Sequence, residues 1–93
     1  MNVPKIQNMQ SSNGNDTPNQ FEIFCDDGKY FQSYSSVIAF KPYGSGAKIV
    51  LDENKWDYSK TTGTYRNQFL GENKKETEKK IKSGEYILAD LNK

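Results

Sequence analysis

The chain has 93 residues, 13 basic and 12 acidic, and its net charge of +1 gives no bulk attraction to nucleic acid or to an anionic membrane. It contains no histidine and one cysteine, Cys25, which excludes Ser-His-Asp and Cys-His catalysis, His-ligated zinc and any internal disulfide. Aromatic residues make up 13% of a sequence that is only 33% hydrophobic, so a few rings must supply much of a thin core in the single domain expected over residues 1–93.

No apolar run is long enough for a secretion signal or a membrane span, so a soluble, intracellular protein is expected. The lone thiol fits a reducing compartment. Cys25 itself lies in an alternating pattern and reads as a small buried hydrophobe.

Residues 1–10 carry Val3, Ile6 and Met9 between polar neighbours, a weak strand pattern. The turn-forming run from Ser11 to Pro18 includes Asn13-Gly14, which supplies the positive φ of a tight hairpin. Residues 1–19 therefore read as a strand and turn, partly flexible, rather than as a loose tail. Phe21-Glu22-Ile23 begins a second, alternating strand, and Asp27-Gly28 reads as its hairpin turn. The following strand is expected to run from Tyr30 to about Phe40, bent or bulged near Ser35-Ser36, because apolar groups fall on both its faces. Pro42 ends it, since proline cannot donate to a ladder. Tyr43-Gly44-Ser45-Gly46 is a loop, and Lys48-Ile49-Val50-Leu51 a short strand covered on both faces.

The stretch from Trp56 to Leu70 organises the rest, gathering rings, hydroxyls and the single arginine. Ser59 is a natural cap for a helix starting near Lys60, and Gly71 sits where a left-handed C′ residue belongs. Tyr65 and Phe69 share one helix face; Thr62 and Arg66 share another. Asn73 and Glu76 form a variant capping box for a second helix that stops at Gly84, with only Thr77 and Ile81 facing inward. Its lysines read as a solvated face balanced by glutamates. Tyr86 to Leu91 returns as a last strand. The order predicts an α+β fold: a small, mainly antiparallel sheet of four to five strands with two short helices packed on one face.

Phe31-Gln32-Ser33-Tyr34 through Ile38-Ala39, then Leu51-Asp52 and Trp56-Asp57-Tyr58-Ser59 through Leu70, resemble a family of small uncharacterised proteins encoded mostly by tailed bacteriophages and mobile elements. Lys74 through Lys82-Ser83-Gly84-Glu85-Tyr86-Ile87-Leu88 resembles it too, as does Asn13-Gly14-Asn15 ahead of Asn19-Gln20-Phe21. The resemblance covers nearly the whole chain. It implies a phage accessory protein working in the host cytoplasm, and no particular reaction.

The best candidate binding surface is Tyr58, Ser59, Thr61, Thr62, Tyr65 and Arg66, where a helix N-terminus, an arginine fork and stacking rings could meet a phosphate, carboxylate or base. The competing structural reading makes Ser59 a cap, pairs Arg66 with Asp57 and buries the rings. A second candidate is the face of Tyr30, Tyr34 and Phe40, with Lys29 and Lys41 at its ends, which resembles a nucleic-acid-stacking sheet. Cover by the two helices is the expected fate of that face. Glu53-Asn54-Lys55 with Asp26 and Asp27 has the residue types of a metal-dependent nuclease, but the triplet is common and Asp26-Asp27 is explained as a turn. Asp52, Asn54 and Asp57 lack the pattern of a calcium loop, and no standard phosphate-binding loop is present.

These features predict a non-enzymatic protein that binds a host macromolecule, foremost a protein such as a host enzyme or defence component, through Tyr34, Tyr58, Ser59, Thr61, Thr62 and Arg66, with no metal or cofactor. The alternative is a nucleic-acid or nucleotide binding module; a metal-dependent nuclease is a distant third. No membrane partner is expected.

Overall fold

The computed structural model describes residues 4–44 and 46–93; Val3 and Ser45, placed above in the first strand and the glycine-rich loop, lie outside them. The described elements are β1 (Lys5–Gln10), β2 (Asp16–Phe24), β3 (Gly28–Ser33), β4 (Ser36–Pro42), β5 (Val50–Asp52), α1 (Lys60–Leu70), α2 (Lys74–Ser83) and β6 (Ile87–Ala89). The strands form one mixed sheet in sequence order. Neighbours are antiparallel from β1 to β5, and β6 joins β5 in parallel after the two-helix crossover that a parallel pair requires. No helix among the described residues is long and apolar enough to cross a membrane.

The α+β class is as expected, but the described strands number six rather than four or five. The extra strand arises where an unbroken one was expected between Tyr30 and Phe40. The chain folds back at Tyr34-Ser35, pairing Ser33 with Ser36, and the bulge falls at Ile38, between the Phe31–Ala39 and Gln32–Val37 pairs. This hairpin reverses the strand, so the clash of apolar faces in the sequence belongs to two strands.

A second correction concerns Gly28. Cys25 N–H donates to the Gly28 carbonyl at 2.8 Å, which makes Asp26-Asp27 the turn and Gly28 the first residue of β3. Gly28 does not occupy positive φ. A Cβ there would stand 2.6 Å from the Lys41 carbonyl oxygen and 2.7 Å from the Phe40 ring, so this glycine serves close approach of β4.

The helices lie against one face only. Phe31 stacks on Phe69 with ring centres 5.7 Å apart, Ser33 meets Thr62, and the Thr17 hydroxyl meets the Tyr65 hydroxyl at 2.7 Å. The core on this side joins Met9, Phe31, Ile38, Ala39 and Leu51 to Tyr65, Phe69, Leu70 and Tyr86, with Trp56 and Ile81 packed at its margin. Both helices follow local signals: Ser59 accepts from Thr62 N–H, Asn73 and Glu76 complete a capping box, and Gly71 and Gly84 take left-handed caps.

Among the described residues, no helix packs on the opposite face. One cross-strand row runs in register through all six strands: Ile6, Ile23, Tyr30, Phe40, Val50 and Ile87. None of these residues is buried, whereas Phe31, Ala39 and Leu51 of the adjacent row on the helix side are fully buried. The expected helix cover of the Tyr30–Phe40 face is therefore corrected: strand alternation turns that pair, with ring centres 4.5 Å apart, away from α1 and α2. Lys29 and Lys41 lie on the helix side, not at the ends of the aromatic face, and Lys29 sits over the Phe69 ring. Cys25, expected to be buried, continues the open-face set of Phe21 and Ile23 and is only half-buried.

Candidate functional site

At one end of the sheet the β3–β4 turn, the loop 53–59 and the N-terminus of α1 are tied together by three hydroxyls. Ser33 Oγ and Thr62 Oγ1 are 2.8 Å apart, and Ser59 Oγ donates to Thr62 Oγ1 at 3.0 Å. Ser59 Oγ also accepts from Thr62 N–H at 3.1 Å, so the helix cap and the sheet contact share one hydroxyl chain. Ser33 and Thr62 are buried, which locks the turn and the helix end to one another.

Tyr34 stands at the tip of this turn with φ +58, an uncommon conformation for a bulky residue. Its N–H donates to the Asn19 carbonyl at 2.7 Å, and its carbonyl accepts from Gln32 Nε2 at 2.8 Å. Asn19 is itself at φ +66, in the left-handed region that asparagine tolerates. Held from both sides, Tyr34 is 49% exposed. Tyr58, in the loop just before the helix cap, is 42% exposed, with Lys55 Nζ 5.0 Å from its ring centre.

The six residues singled out in sequence thus divide. Tyr34, Tyr58 and Thr61 reach solvent, and Ser59 is the half-buried cap. Thr62 and Arg66 point inward and present no surface: Arg66 is 1% exposed, and its Nη1 donates to the Trp56 carbonyl at 2.8 Å and to Asp57 Oδ1 at 3.0 Å, while Nη2 donates to Asn67 Oδ1 at 2.9 Å. Tyr65, added to that surface in sequence, is also buried. Burial alone would raise the Asp57 carboxyl, but bonds from Lys74 and Arg66 outweigh it and hold its pKa below the usual value.

The acidic constellation is separated by the topology. Asp26-Asp27 turn β2 into β3, and the Asp27 carbonyl accepts from Tyr43 N–H just past β4. Because β5 runs antiparallel to β4, Glu53 and Lys55 emerge at the other end of the sheet, the end of the β3–β4 turn. Among the described residues no group of three or more acids, histidines or cysteines could hold a metal ion.

Two residues of this region were not singled out in sequence. Asn19, whose carbonyl fixes Tyr34, gave a signal in the asparagine preference for left-handed φ. Asn92 closes the free side of β4 by accepting from Val37 N–H at 2.6 Å and donating to the Val37 carbonyl at 2.9 Å, a contact no local pattern announces.

The chain belongs to a family of unknown function, DUF8033. The family model matches residues 4–85, which takes in the first five strands, both helices and the whole Tyr34–Tyr58 end. No curated protein matches the chain, and no solved structure does.

Proposed function

We propose that this protein works by holding a protein partner, not by turning over a substrate, and that the partner docks on the end of the sheet carrying Tyr34 and Tyr58. The observation that carries this reading is the exposed Tyr34 ring, kept at positive φ by bonds to both its backbone groups. Strain in an exposed aromatic residue does nothing for the core, and a rigid tyrosine offers a partner a large, half-polar contact at small entropic cost. Tyr58, Thr61 and Ser59 beside it have the tyrosine-and-hydroxyl character of protein contact surfaces. The resemblance to phage accessory proteins makes a bacterial host protein the expected partner, with inhibition of a host enzyme or defence component as the consequence.

The test is affinity capture with the tagged full chain, followed by reconstitution with the purified protein retrieved. One host protein held in stoichiometric amount, and lost in the Tyr34→Gly/Tyr58→Ala double variant at unchanged melting temperature, supports the reading. Retention by the double variant would move the contact elsewhere. Binding of short oligonucleotides that weakens steeply with salt would favour the nucleic-acid alternative. Magnesium-dependent cleavage abolished by Glu53→Gln would favour a nuclease.

A further inference from the structure

We infer that the open face of the sheet is covered by a second copy of this chain, the two sheets packing face to face about a two-fold axis. An antiparallel sheet with one solvated face ordinarily alternates apolar-in with polar-out. Here the outward row is apolar across all six strands, and its end members Ile6 and Ile87 are 68% and 44% exposed. The parallel outward set Asn8, Phe21, Gln32 and Val37 adds two amides and no charge. Such a face is built to be covered, and α1 and α2 already occupy the other side.

Charge identifies the occupant. In a two-fold interface the same patch meets itself, so any fixed charge away from the axis needs an opposite charge on its own surface. Within the ladder, Lys5, Glu22, Lys29 and Lys41 all fall on the helix side. Asp52, at the margin, is buried, with its carboxylate accepting from Asn54 N–H and Leu91 N–H. Asp16 lies past the bulge, toward the tip of the first hairpin. In a protein with 25 charged side chains, 13 basic and 12 acidic, a face this neutral is self-compatible. Binding to a nucleic-acid backbone would require cations here.

Size and shape agree. Six strands at about 4.8 Å spacing span about 25 Å, and the longer strands run about 20 Å, so two such faces bury on the order of 1,000 Å² together, the lower bound for a stable interface. A shallow groove of about 200 Å³ between Ile6, Phe21, Ile23 and Gln32 adjoins the ridge formed by the Tyr30 and Phe40 rings. An offset two-fold axis lays each ridge in the other copy's groove.

Sedimentation equilibrium of the full chain over low to high micromolar concentration tests this. A reversible monomer–dimer equilibrium is expected, abolished by Ile23→Glu or by Phe40→Lys with the far-ultraviolet circular dichroism retained. Because those substitutions could unfold the chain, Cys25 of the wild type gives a second readout: only the monomer leaves its thiol open, so alkylation should slow about tenfold when about nine-tenths of the chain is dimeric. A monomer at every concentration overturns the inference. So does a dimer in which Cys25 reacts at a concentration-independent rate, or one that survives both substitutions, since either result places the contact off this face.

Discussion

The guanidinium carbon of Arg66 stands 5.3 Å from the centre of the Trp56 ring, while Nη1 of the same side chain donates to the Trp56 carbonyl. One buried cation thereby fixes the ring, the backbone and, through Asp57, the loop ahead of α1. Arg66→Ala should lower the unfolding free energy by about 2–4 kcal/mol, since it removes a buried hydrogen-bonding fork and leaves its acceptors unpaired. Arg66→Lys should recover only part of this, because one ammonium cannot reproduce the planar fork that serves Trp56, Asp57 and Asn67. Urea denaturation of the three proteins measures the difference.

Glu72 should control the acid limit of stability. Its carboxylate, in the link between the helices, accepts from Lys80 Nζ at 2.6 Å, Thr77 Oγ1 at 2.6 Å and the Tyr86 hydroxyl at 2.9 Å. Burial alone would raise its pKa, but those donors and the Lys80 charge outweigh burial and set it below the ordinary 4.5. A carboxylate depressed in the folded state stabilises fully above the unfolded value and loses that contribution as pH falls through the folded one. The urea midpoint should therefore decline below about pH 4.5, and Glu72→Gln should be less stable at neutral pH, by about 1–3 kcal/mol, with a flatter acid limb. The opposite sign governs Tyr86, whose phenol is pushed up to about 12 by burial first and the Glu72 bond second. Its contribution is whole below the ordinary 10.0 and is lost as pH rises toward 12, so phenolate absorbance should show a late-titrating component that Tyr86→Phe removes.

Gln20 is fully buried opposite Ser33, and among the described residues neither its side-chain oxygen nor its nitrogen has a partner. Two desolvated polar atoms of this kind are costly, so Gln20→Leu should raise stability by about 1–2 kcal/mol. An unchanged or lower melting temperature would show that the amide is satisfied in solution.

Gly28→Ala should destabilise by about 1–3 kcal/mol, because the added methyl group would overlap the Lys41 carbonyl and the Phe40 ring and push β4 from β3. Thermal denaturation would detect the loss. Tyr34→Gly, which relieves a positive φ and removes no core contact, should stay within about 1 kcal/mol of the parent.

The caps of helices α1 and α2 were legible because their signals are local. Ser59, Gly71, Asn73, Glu76 and Gly84 each satisfy backbone groups within four positions of themselves. The first hairpin was equally open, through Asn13-Gly14, whose glycine has φ +82. The turn at Tyr34-Ser35 was not, since it carries neither glycine nor asparagine; the residue that permits it, Asn19, is distant in sequence and holds it by a carbonyl. Arg66 and Thr62 carried chemistry suited to a ligand, and only packing shows that their partners lie inside the chain.

The sequence alone determined the α+β class, the helix boundaries and the absence of imidazole and of a second thiol, because composition and caps are properties of single residues and near neighbours. The tertiary structure decided which face of the sheet the helices cover, how the strand after Tyr30 divides, and that Ile6, Ile23, Tyr30, Phe40, Val50 and Ile87 share one outward row. Those outcomes depend on strand register. A one-residue slip sends every side chain of a strand to the opposite face, and pairing between distant segments sets it.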